Sequence, residues 1–119
     1  MYVAQTQLRV KYADTDAMGV VYHGNYARYF EEGRAEAFRA LGYTYKDFEA
    51  DGFALPIIDF KIRFRKPSKY DDLLTIKSII KEFPNRKLCI HTEIYDDTSQ
   101  LLARGEIIFI FQCRLVKEK

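Results

Sequence analysis

Between Gly24 and Leu41 the chain carries one apolar stripe at helical spacing: Tyr26, Tyr29, Phe30, Gly33, Ala37 and Leu41 recur three or four residues apart. Arg28, Glu31, Glu32, Arg34, Glu36 and Arg39 fill most of the other positions. The pattern predicts a long helix with one face for a core and one for solvent. Gly42 stands where a C-terminal cap belongs, and Asn25 or the residue before it where the N-terminal cap belongs. Gly33 lies on the apolar stripe, where a glycine costs helix propensity but lets a neighbour pack closely.

Around this helix the period is that of strands. Residues 5 to 12 read as a short strand, and 13 to 23, ADTDAMGVVYH, as a loop with two carboxylates and a glycine. Residues 43 to 52 define no clear element. In the next segment Ile58, Phe60, Ile62 and Phe64 alternate with Asp59, Lys61, Arg63 and Arg65, a half-buried antiparallel strand that Pro67 ends. Leu74, Ile76, Ser78 and Ile80 then share a face against Thr75, Lys77 and Lys81, and EFPNRK makes a turn. Leu88, Ile90 and Ile94 alternate with Cys89, His91, Glu93 and Tyr95, followed by the turn DDTSQ. The last strand, from about Leu101 to Arg114, is apolar on both faces from Ile107 to Phe111, as a central or interfacial strand would be. One strand, one long helix and four more strands predict an α+β chain with a five-stranded antiparallel sheet around one helix, an arrangement that suits a hotdog fold. The sheet's open edges and large outer face favour dimerisation.

Length and charge narrow the function. A single domain of 119 residues buries only about two-thirds of its unfolded surface, so a deep cavity within one copy is hard to build and a site shared between copies is easier. A net charge of +2, with no run of five or six basic residues, argues against nucleic acid as a partner. The N-terminus MYVAQTQLRVKY lacks the apolar core of a signal peptide, and no apolar run approaches the length of a membrane helix, so a soluble cytoplasmic chain is expected. Nine Tyr and nine Phe recur mostly at strand or helix spacing and read as core or interface. Cys89 and Cys113 lie in apolar segments without partners at metal spacing and read as buried free thiols. With two histidines, no G-x-S-x-G and no phosphate loop, neither a metal nor a cofactor is expected.

The chemistry concentrates before the helix. Asp16 precedes the helix start closely, and a helix N-terminus offers unpaired N–H groups and positive potential. Such donors can hold a carbonyl oxygen as it gains charge, while a nearby carboxylate attacks the carbon or activates a water. That set suffices for a thioester, whose thiolate leaves readily, and is weak for an amide. Asp14 reads as structural. Tyr22 reads as a pocket wall, and Asn25 as a cap or a substrate contact. The His23 ring is open to touching substrate or orienting Asp16. His91 reads as structural or superficial, and Ser68, Ser78 and Ser99 have no histidine near them in sequence.

DTDAMGVVYHGNYARYFE resembles the signature of the 4-hydroxybenzoyl-CoA thioesterase family of hotdog enzymes, D-x-D-x-x-G-[VI]-V-[YFW]-x-x-N-Y, and KPSKYDDLLTI resembles that family's stretch between its second and third strands. The resemblance spans nearly the whole chain. It implies an acyl-CoA thioesterase with no cofactor, working as a homodimer or a tetramer. It matches Asp16 to the catalytic carboxylate and the backbone N–H of His23 to the group that polarises the carbonyl. Gly24 falls within the matched motif beside that N–H. Glu31 falls where relatives touch the acyl group, and Arg86 and Lys87 occupy the basic turn that binds the nucleotide end of CoA, with Pro84 and Asn85 where some relatives are more basic. Arg63, Arg65, Lys66 and Lys69 around Pro67 offer a second basic stretch for phosphates. The rivals are a thioester of acyl carrier protein, docked on that stretch, and a non-catalytic acyl-CoA-binding module.

Overall fold

Every second residue of strand β1 (Tyr2–Arg9) turns inward, which places the first strand earlier than residues 5 to 12. Tyr2, Val3 and Ala4 are all apolar, so their alternation is invisible in the sequence. The computed structural model describes residues 1–82 and 86–113, without the side chains of Tyr45 and Cys113. Pro84, Asn85 and the end of the expected last strand at Arg114 lie outside the described residues.

Helix α1 (Tyr26–Ala40) follows a single 3-10 turn at His23–Asn25. It buries Tyr26, Tyr29, Phe30, Gly33, Arg34, Ala37 and Phe38. Leu41 falls off the expected stripe and is 56% exposed, because the helix has ended and the chain turns at Gly42 with φ +85°. That glycine cap is as expected. Asn25 does not cap. Its backbone is already helical, and its amide Nδ2 donates instead to the Asp14 carbonyl at 2.9 Å. The stretch read as undefined holds a short helix α2 (Tyr45–Ala50), started by a capping box in which the Asp47 N–H donates to Thr44 Oγ1 and the Thr44 N–H to Asp47 Oδ2.

A two-residue strand β2 (Phe53–Ala54) pairs with β7 (Gln112–Cys113). The main sheet adds β3 (Ile57–Phe64), β4 (Leu73–Ile80), β5 (Lys87–Tyr95) and β6 (Leu101–Ile110) in the order β1-β4-β5-β6-β3, every neighbouring pair antiparallel. This is the hotdog arrangement, with β6 in the interior as its two apolar faces predict.

The core lies between α1 and the sheet. Tyr26, Tyr29 and Phe30 pack with Leu74, Ile76 and Ile94 under one half of the helix, and Phe38 with Leu88, Ile90, Ile107 and Phe109 under the other. A helix is about 10–12 Å across with its side chains, whereas five strands span about 19 Å. One helix therefore cannot cover the sheet, and it lies mainly on β1, β4 and β5. Strand β3 is left at the edge. Of its expected inward residues only Ile62 is largely covered, while Ile58 is 47% and Phe64 48% exposed. The half-buried strand read from the sequence is thus mostly bare in a single chain. Cys89 is a free thiol, half-buried on the outer face rather than buried.

Gly33 marks the closest approach of helix to sheet. A Cβ built there would lie 2.4 Å from Cγ2 of Ile76 and 3.2 Å from its Cβ. Gly33→Ala gains about 1 kcal/mol of helix propensity but forces overpacking worth about 1–3 kcal/mol. The variant should therefore unfold at lower urea with an unchanged slope. A midpoint equal to or above wild type would mean that the helix lifts freely from β4.

Candidate functional site

The loop between β1 and α1 is held to the rest of the fold by Asp14. Its carboxylate is buried and accepts hydrogen bonds from the Tyr29 hydroxyl at 2.7 Å, from Arg28 Nη2, and from the Lys11 N–H at 3.3 Å. Its carbonyl accepts the Tyr22 N–H and the Asn25 amide, both at 2.9 Å. Burial, then the Asp14 carboxylate, push the Tyr29 hydroxyl well above the ordinary tyrosine range, so it stays a donor. One residue thus ties the loop to the first turn of α1 through both its side chain and its backbone.

Beyond Asp14 the chain folds into a small hairpin. Thr15 bridges Val21, the Asp16 N–H donates to the Val20 carbonyl at 2.9 Å, and the Gly19 N–H to the Asp16 carbonyl at 3.0 Å. Gly19 sits at φ +81°, a conformation that explains the glycine of the D-x-x-G pattern. Asp16 lies exposed at this hairpin, and its Oδ1 accepts the Met18 N–H at 2.9 Å.

The hairpin leads directly into the 3-10 turn. The first hydrogen bond of that turn runs from the Asn25 N–H to the Tyr22 carbonyl at 2.9 Å. The N–H groups of His23 and Gly24 precede it and have no carbonyl within the turn to bond. Both residues are exposed, and among the described residues neither N–H has a backbone partner, so two donors at the positive end of α1 and the Asp16 carboxylate belong to one continuous loop. The His23 ring packs on Tyr22 with centroids 4.4 Å apart and meets Phe64 edge-on at 6.3 Å. Among the described residues it makes no hydrogen bond to Asp16, so nothing in one chain supports an orienting role for the imidazole. Gly24 provides space, since a Cβ there would fall 2.6 Å from the Tyr22 ring.

The basic residues divide between the two ends of the sheet. Arg65 and Lys66 follow β3 at the Asp16 end, their N–H groups on the Leu102 carbonyl at 2.8 and 3.1 Å, and Lys69 bridges Val20 of the hairpin. Arg86 and Lys87 stand at the opposite end. Strand β4 (8 residues) starts opposite Arg9 and finishes opposite Tyr2, a run of about 23 Å at strand rise. One chain therefore does not bring Arg86 and Lys87 to Asp16. Glu31 is exposed on α1, and among the described residues it makes no hydrogen bond or ion pair.

Ser68 has a role that its sequence context hides. It is fully buried, its hydroxyl shares a 2.9 Å hydrogen bond with the Tyr26 hydroxyl, and its carbonyl accepts the Val21 N–H at 2.8 Å. It fastens the hairpin to the start of α1 from the side opposite Asp14. The KPSKYDD stretch is the sequence signal for this role, which needs no histidine nearby.

Comparisons with known proteins show what the chain is similar to. Residues 10–114 match the model of the Thioesterase-like superfamily. The chain is 34% identical over 101 residues to a putative acyl-CoA thioesterase, YneP, of Bacillus subtilis, covering 85% of this chain and 73% of that one. It is 29% identical over 103 residues to the acyl-CoA thioester hydrolase YbgC of Escherichia coli, covering 87% and 77%. Among solved structures, a DHNA-CoA thioesterase from Staphylococcus aureus superposes with a TM-score of 0.89 at 30% identity, covering 96% of this chain and 76% of that one.

The two aspartates of D-x-D should separate cleanly in stability. Asp14→Ala leaves the buried Tyr29 hydroxyl without its acceptor and should cost about 1–3 kcal/mol. Asp16→Ala removes one exposed contact and should stay within about 0.5 kcal/mol of wild type. Urea unfolding of both variants checks this, and equal losses would contradict the anchoring role of Asp14.

Proposed function

The chain belongs to the Thioesterase-like superfamily, and we propose that it hydrolyses acyl-CoA to a free acid and CoA at the Asp16 loop. The observation that carries this reading is the presence, in one loop, of an exposed carboxylate and of two backbone N–H groups left without turn partners at the start of α1. The thioester carbonyl oxygen accepts a hydrogen bond from the His23 N–H, with Gly24 beside it, so charge gained by the oxygen meets donors already in place. Asp16 adds to the carbonyl carbon itself or takes a proton from a water that does. The tetrahedral adduct collapses, the C–S bond breaks, and CoA leaves as a thiolate that is protonated in solvent; on the direct route the mixed anhydride left on Asp16 is then cleaved by water, which releases the acid and restores the carboxylate.

A second copy completes this reading. Strand β3 is an edge strand with apolar side chains bare on it, whereas the exposed positions of the other edge, β1, are mostly polar. Pairing of β3 with β3 of another copy would cover Ile58, Phe60 and Phe64 and extend the sheet. It would also offer a route by which Arg86 and Lys87 of one copy serve CoA bound at Asp16 of the other. Tyr22 and Glu31 then face the acyl group, in a dimer or in a tetramer built from two dimers. No helix among the described residues is long and apolar enough to cross a membrane, and the free thiol of Cys89 suits a reducing cytoplasm.

The cations Arg63, Arg65, Lys66 and Lys69 flank the Asp16 loop and favour a second reading, in which the thioester arrives on an acidic carrier protein. Salt would then suppress turnover of the carrier substrate and leave acyl-CoA turnover nearly unchanged.

Thiol release from a panel of acyl-CoAs tests the reaction. Asp16→Asn keeps shape and should lower kcat by at least about a hundredfold, the lower end of what a positioned acid or base contributes, without changing stability. Turnover surviving in that variant would sink the assignment of Asp16. Binding without turnover by wild type would leave a module that only binds acyl-CoA. The pairing of β3 is tested separately by sedimentation: Ile58→Glu with Phe60→Glu should yield folded monomers with weakened turnover, and an unchanged assembly would refute this interface.

A further inference from the structure

On the face of the sheet away from α1, strand register brings together three side chains that the sequence keeps apart. Cys89 and His91 lie two residues apart on β5 and so point to the same side. Glu106 of β6 is the cross-strand partner of His91. Cys89 Sγ is 3.7 Å from His91 Nε2, and His91 Nδ1 is 3.6 Å from Glu106 Oε2. One donor atom from each residue can be chosen so that all three lie within 4.8 Å of one another. All three residues are half-buried.

We propose that Cys89, His91 and Glu106 bind a single thiophilic divalent cation of the zinc or cobalt(II) type on the outer face of the sheet. Tetrahedral zinc with sulfur at about 2.3 Å and nitrogen or oxygen at about 2.0 Å separates its ligand atoms by about 3.3–3.6 Å. Only one imidazole nitrogen binds the ion, so the spacing that counts is the 4.8 Å within which one ligand atom of each residue lies, and side-chain rotation draws these together. A thiolate with an imidazole selects zinc, cobalt or copper over magnesium or calcium. Thiolate and carboxylate together neutralise the dication.

The surroundings permit the fourth ligand. His91 and Glu106 line a depression of about 400 Å³ whose walls also carry Glu93 and the cations Lys61, Arg63, Lys81 and Arg104, so water can complete the tetrahedron. Lys61 is the cross-strand neighbour of Glu106, but its ammonium lies 3.6 Å from the Asp59 carboxylate. The same three residues could be read as a nucleophilic triad. Their setting argues otherwise: His91 and Glu106 line the depression but Cys89 does not, so the sulfur is not presented to a substrate there. The cluster is on the face opposite α1, so it is separate from the thioester chemistry.

Cobalt(II) titration of the metal-free chain is the test. One equivalent should bind with thiolate-to-metal charge transfer and tetrahedral visible bands, and zinc should displace it. Cys89→Ser should abolish the charge transfer, and His91→Ala and Glu106→Gln should each weaken binding by at least about tenfold, the least that even outer-shell partners cost. Both of the latter side chains stand half-buried on the outer face of the sheet, away from the core, so those variants keep the test valid if Cys89→Ser folds poorly. Asp16→Asn should bind cobalt like wild type, and Cys89→Ser should keep its thioester turnover. Absence of charge transfer in wild type, its persistence in His91→Ala, or loss of binding in Asp16→Asn would each overturn the site.

Discussion

The structure depends on a mismatch of widths. Among the described residues one helix is the only long apolar-striped element available to cover a sheet of five strands, and it is too narrow to do so. Packed over β1, β4 and β5, it forms a continuous core and leaves β3 with Ile58 and Phe64 bare. Gly33 takes the helix as near to Ile76 as two backbones with side chains can come, which tightens the core without widening its reach. The chain is thus complete along β1 and unfinished along β3. The functional loop stands at one end of this unfinished side, where Phe64 meets the His23 and Tyr26 rings.

At that end, buried polar groups provide the rigidity that a loop lacks on its own. Asp14 fixes the loop to α1 from one side and Ser68 fixes it from the other, each using a side chain and a carbonyl. Between these two anchors the hairpin presents Asp16, and the 3-10 turn presents the N–H groups of His23 and Gly24. The positive end of α1 comes with the turn at no further structural cost. The aromatic residues here have two duties. Tyr26 and Tyr29 fill the core with their rings while their hydroxyls serve Ser68 and Asp14.

Periodic features were legible in the sequence because burial imposes them directly. The stripe of α1 and the alternation of β4 and β5 correspond closely to buried positions in the structure. Features set by competition were not. Asn25 looks like a cap, but the Asp14 carbonyl takes its amide. Thr44 and Asp47 form a capping box within a stretch too short to show helical period. For β3 the alternation is genuine, but its burial depends on a neighbour that a single chain does not supply. In the site, the D-x-D and the helix start can be read from local order, whereas Ser68 acts from more than forty residues away and Arg86 and Lys87 prove to be at the far end of the sheet. The Cys89, His91 and Glu106 cluster is similarly invisible until register joins β5 to β6.

Asp16 contrasts with everything that surrounds it. It is exposed, it receives one side-chain hydrogen bond from Met18, and no core residue leans on it. The scaffold is therefore insulated from the chemistry proposed for Asp16. A single exchange at this position can silence a catalyst and leave a well-folded protein that still offers the same surfaces to a ligand. Evolution on such a frame can move between an enzyme and a binding module in one step and return as easily, while drift at Asp14 two residues earlier would be removed as a folding defect. If Asp16 carries the chemistry proposed for it, two neighbouring aspartates are under different selection, one for activity and the other for folding.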